Sequence, residues 1–140
     1  MLVEVNAGRF SGGDFRSLCD ACVGVNAYEA TLAAYADDGG EAWAAVPALP
    51  PPSLVQHGRM VTLVSTVSGC LVRMRHMEVL SGLRSIIQFK PTYDEGDEVE
   101  LTLDLATVAG YAMLAHPDRA VLEQDYETLR LLQPTLFDVA

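Results

Sequence analysis

With 140 residues, half of them hydrophobic, the chain can bury one sizeable core and is too apolar for disorder. Its formal net charge of −10 disfavours nucleic acid and anionic membranes as partners, because phosphate binding needs clustered Lys and Arg, and the basic residues are eight arginines and Lys90. No apolar run reaches the roughly 18 residues that span a bilayer. Glu4 and Asn6 interrupt the N-terminus where a signal peptide needs an unbroken apolar core, so one cytoplasmic domain over 1–140 is expected.

Residues 1–6 alternate as a short strand does. "SGGD" at 11–14 has the S-x-x-D pattern of a helix start, and about three turns fit 13–22. Phe15, Leu18, Cys19 and Cys22 form one stripe of that helix. The C-x-x-C pair has no second pair to complete a structural zinc site, so core thiols and no metal are expected. "NAYEATLAAYA" at 26–36 reads as a second helix that stops at the glycines of "DDGG". Residues 37–53, with Trp43 and four of the seven prolines, read as a long loop of the kind that forms a lid or binding surface.

The next stretch, "LVQHGRMVTLVSTVSG" at 54–69, is the most apolar of the chain. Met60, Leu63, Val64, Val67, Leu71 and Met74 recur at helical spacing, which predicts a long buried helix over about 58–75. Arg73, Arg75 and His76 would sit at its negative dipole end. The period then changes to two. Leu83, Ser85, Ile87 and Phe89 share one strand face, "YDEGD" at 93–97 is a turn, and Val99, Leu101, Leu103 and Leu105 alternate with polar residues as a half-buried strand does. "GYAMLAH" at 110–116 is a further strand. The segment 120–132, with "VLEQDYETLRLL", has helical propensity but follows a meander, and is expected as the last strand. One long helix followed by antiparallel strands is an α+β pattern, with the sheet wrapped around the helix.

The motifs resemble those of the hot-dog fold, in particular the MaoC-like (R)-specific enoyl-thioester hydratases and dehydratases. "VQHGRMVTLVSTVSG" looks like their V-H-G-M-L…S entry to the central helix. "FKPTYDEGDEVELTLDL" at 89–105 looks like their F-x-x-P-V-x-x-G-D turn, and "FSGGDFRSLCDACVGVNAYE" at 10–29 like their first helix and catalytic loop. Where that loop carries a catalytic Asp and His, this chain has Gly24 and Glu29. The resemblance implies an acyl-thioester or polyketide-like substrate carried on coenzyme A or a carrier protein, and no cofactor. It also implies a homodimer or a heterodimer with a related chain. Glu29 would be the general base. The N–H of Gly58 would be the oxyanion donor at the helix mouth. His57 is the next candidate base. Asn26, Tyr28, Trp43 and Arg59 would contact substrate. The plainer readings are a cap for Asn26, packing for Tyr28 and Trp43, and surface positions for Glu29 and Arg59. A non-catalytic subunit, a thioesterase or a small-molecule binder are the competing functions.

Overall fold

The computed structural model describes residues 15–36, 38–47 and 53–140. The expected strand at 1–6, the S-x-x-D helix start and the proline run at 50–52 lie outside them. The chain divides into two compact units, Met1–Val55 and Gln56–Ala140.

The first unit is helical. Helix α1 spans Arg16–Cys22 and helix α2 Ala27–Tyr35. Gly24, in the left-handed region at φ 82°, turns the chain between them, and the Val55 N–H donates to the Cys22 carbonyl at 2.8 Å. Cys22, Val25 and Ala30 are buried. Burial, together with the neighbouring Cys19, pushes the Cys22 thiol up from its ordinary value, which makes it an inert packing group. The stretch expected as a long loop contains one helical turn, α3 (Glu41–Ala44). Its first amides are held by Asp38, whose carboxylate accepts from Gly40 and Ala42.

The second unit is α+β. Its strands are β1 (His57–Leu63), β2 (Gly69–Met74), β3 (Ile86–Pro91), β4 (Glu98–Val99), β5 (Gly110–His116) and β6 (Phe137–Val139), with helices α4 (Met77–Ser81) and α5 (Arg119–Leu132). The strands form two three-stranded antiparallel sheets, ordered β1-β5-β3 and β4-β2-β6. Val61 and Leu63 of β1, Leu71 of β2, Leu114 of β5 and Leu122 and Leu129 of α5 meet in one core. Buried Gln133 ties the end of α5 to β1, because its Nε2 donates to the Thr62 carbonyl and its Oε1 accepts from Arg130.

Two expectations are exchanged. The segment expected as a central helix, 58–75, is the strands β1 and β2. So many of its positions are apolar that a 3.6-residue period can be drawn through a strand pattern as well. Val61, Thr62, Val64, Thr66 and Val67 are β-branched, and they favour strands. Gly69 then sits at φ 141°, where a Cβ would lie 2.7 Å from the Ala140 carbonyl. Conversely, the segment expected as the last strand is α5, the longest helix described. Asp118 caps it by accepting from the Ala120 N–H at 2.8 Å.

Two further strand expectations shift. The pairing of β3 with β5 slips between Ile86 and Gln88, so Ile86 and Phe89 pack on the core and Ile87 faces solvent. The alternating run after Val99 leaves the sheet at once. Val99 is buried, whereas Leu101, Leu103 and Leu105 are exposed. The turn at 93–97 and the strand at 110–116 form as expected, with Asp97 N–H bonded to the Asp94 carbonyl.

Candidate functional site

The sequence candidates fall on three elements. Asn26 is the N-cap of α2. Its Oδ1 accepts from the amides of Tyr28 and Glu29 at 3.0 Å each, while its Nδ2 donates to Asp20 Oδ1 at 2.6 Å. A buried amide engaged in this way serves the helix start, the plainer of its two expected roles. Glu29 is the acidic residue of the first turn of α2, where the dipole favours a carboxylate, and it is exposed. Tyr28 on α2 and Trp43 on α3 are each 53% exposed, so neither is packed as a core aromatic.

His57, Gly58 and Arg59 open β1 opposite His116, Ala115 and Leu114 of β5. His57 and Gly58 are exposed. Because they begin a strand, no helix dipole and no set of unpaired first-turn amides lies behind Gly58. The reason for choosing its N–H as an oxyanion donor is therefore removed. Arg59 is taken up by α5. Its Nη2 donates to Glu123 Oε1 at 2.9 Å, and its guanidinium lies 4.0 Å over the Tyr126 ring. Arg119 reaches the same Glu123 oxygen at 3.7 Å. The partner of Arg59 is thus Glu123, and the contact fastens β1 to the helix.

Three arrangements escaped the sequence reading. Buried Asp125, in the middle of α5, accepts from the Ser85 N–H at 2.7 Å. Asp138 of β6 accepts from Arg73 Nε at 3.0 Å and Arg75 Nη2 at 2.7 Å, and these hydrogen bonds, Arg75 first, hold its carboxyl below the ordinary value. The third is the connection from β4 to β5. Asp104 Oδ1 accepts from the amides of Ala106 and Thr107, and Thr107 Oγ1 accepts from those of Leu103 and Asp104. Thr102 Oγ1 donates to the Thr107 carbonyl and accepts from the Ser65 N–H. The amides of Ala106 and Thr107 and the Thr107 hydroxyl lower the Asp104 pKa. An Asp three residues before a Thr is a sequence signal for such a turn. It was masked by the alternation of leucines around it.

Among the described residues no group of three or more His, Cys, Asp or Glu could hold a metal ion, and no helix is long and apolar enough to cross a membrane. No protein-family model, no curated protein and no solved structure matches the chain.

Proposed function

We propose that this chain is a binding module that works through its surface and has no chemistry of its own. The observation that carries the reading is the state of the polar side chains picked out for chemistry. Asn26 is engaged in a helix cap and Arg59 in an ion pair with Glu123, and the two candidate bases, Glu29 and His57, are exposed to water. A general base gains its power from a desolvated, oriented position, which water-exposed side chains lack. The three described cysteines are free, as a reducing cytoplasm would keep them.

A second reading is a non-catalytic subunit of a hot-dog dehydratase, holding an acyl chain beside a related catalytic chain. Gly24 favours it over an active hydratase. It stands where the hydratases carry Asp, and at φ 82° a side chain would be strained. The acyl chain follows from the motif resemblance at 10–29 and 89–105, and the stretch at 58–75 lends it no support because it forms strands.

Acyl-thioester turnover tests the first reading. The full chain is incubated with short, medium and long enoyl and hydroxyacyl thioesters, beside Glu29→Gln and His57→Ala. The expected result is one background rate for all three proteins. Turnover that drops about 100-fold or more in either variant, the usual share of a general base, would overturn the reading. A saturable, turnover-free change in Trp43 fluorescence with acyl thioesters would favour the subunit.

A further inference from the structure

The connection between β4 and β5 holds apolar side chains out of the protein by means of its own polar atoms. Leu101, Leu103 and Leu105 are 45%, 78% and 82% exposed. Scattered surface leucines are ordinary and need no explanation. Here three alternate along one short segment whose Thr102, Asp104 and Thr107 bond back to the loop and to Ser65. Such a loop loses little conformational freedom when something covers its leucines.

The charge around the leucines selects what that is. From Thr92 to Ala109 the sequence has six carboxylates, at Asp94, Glu95, Asp97, Glu98, Glu100 and Asp104, and no Lys, Arg or His. A second copy meeting this loop face to face would bring like charges together, on chains of net charge −10 each. An anionic membrane is repelled for the same reason. The complementary surface is apolar at its centre and basic at its rim.

Resting on the binding-module reading, we propose that residues 100–109 are the docking element of this chain, and that Leu103 and Leu105 seat in an apolar cleft rimmed by Lys and Arg on a different protein.

The test places photoreactive p-benzoylphenylalanine at Ala106, an exposed position beside the leucines, in the full chain expressed in its own cells. The cross-linked protein is identified, purified and titrated against the unmodified chain at low and high salt. The expected result is a heterologous adduct at the loop, with binding that weakens as salt rises. Leu103→Ser combined with Leu105→Ser should weaken it about 100-fold, near tenfold for each leucine removed from an apolar cleft. Both leucines are exposed, so this variant should keep the urea midpoint of the parent. Glu100→Arg, which leaves the leucines in place, should weaken binding and flatten its salt dependence. The proposal is overturned by the absence of an adduct, or by an adduct that is another copy of this chain. It is equally overturned by binding indifferent to both variants, or by cosedimentation with phosphatidylcholine vesicles that is lost in the double leucine variant. Glu29-dependent turnover would overturn the binding-module reading without bearing on the adduct. A missing adduct would overturn the docking element and leave that reading to other surfaces.

Discussion

The carboxylate of Asp125, buried in the middle of α5, receives the backbone N–H of Ser85 at 2.7 Å, and the Ser85 carbonyl in turn accepts from the Ala115 N–H at 2.7 Å. One acidic side chain therefore joins the helix to the entry of β3 and, through it, to β5. Ser85 is fully buried, and an amide at this depth has no water to turn to, so the carboxylate satisfies a donor that would otherwise stay unpaired.

Asp125→Ala should destabilise the second unit by about 1–3 kcal/mol, the usual cost of a buried donor left without a partner. Asp125→Asn keeps an acceptor oxygen and should lose less. Urea unfolding of the three proteins measures the order, and an alanine variant as stable as the parent would mean that the bond contributes nothing.

Arg59→Met should cost roughly 1 kcal/mol. The ion pair with Glu123 is partly exposed and weak, and the contact with the Tyr126 ring adds a similar amount. Only the ion-pair share should fade in high salt. Arg59→Lys should not restore the full value, because an ammonium lacks the flat fork that stacks on the ring while donating to Glu123. Unfolding curves at two salt concentrations separate the two shares.

How far the sequence could be read depends on which residues carried the signal. Asn26 before α2, the Asp94–Asp97 turn and the strand at 110–116 were legible from local chemistry, whereas α2 ends at Tyr35 on an extended Ala36, ahead of the glycines expected to stop it. The identity of the most apolar segment was not legible. In 58–75 helix and strand patterns both find enough apolar positions, and the choice belonged to the β-branched residues and to the partner strand β5, fifty residues away. The α5 segment differs for the opposite reason: its helical propensity and its Asp118 cap outweigh the strand order of the meander before it. The candidate site was drawn from the resemblance, and its donor at Gly58 depended on the helix that does not form. The Asp104–Thr107 turn was written in the sequence, but alternating leucines are the same pattern whether they face a core or solvent.

Asp138 gives a dependence on acid. Its folded pKa is depressed below the ordinary 3.8 by Arg75 and Arg73. The stabilisation is therefore fully present above the unfolded value and is lost as the pH falls through the folded one. A carbon-detected titration should place the Asp138 carboxyl midpoint below 3.8, and the pairing of β6 with β2 should loosen across that lower window. In Asp138→Asn this step should vanish. A midpoint at or above the ordinary value would contradict the assignment.

Gly110 should tolerate no side chain. It lies at φ 131°, and a Cβ there would fall on the Lys90 carbonyl and within 2.7 Å of the Pro91 Cα. Gly110→Ala combines strained backbone with a clash between strands and should cost about 1–3 kcal/mol or more. Gly96→Ala, where the space is open though φ is 96°, should cost less. Thermal or urea melts of the two variants give the comparison.

The most direct measurement of the account is amide hydrogen exchange across residues 100–109 in the free chain. The docking element requires a loop already shaped before anything binds it. The amides of Leu103, Asp104, Ala106 and Thr107, each bonded to Asp104 or Thr107 side-chain oxygens, should exchange well below the free-chain rate. Thr107→Val, which removes the hydroxyl at nearly constant size, should release Leu103 and Asp104. Exchange of these four amides at the free-chain rate in the parent protein would contradict a preformed loop, and with it the claim that this chain holds its leucines out for a partner.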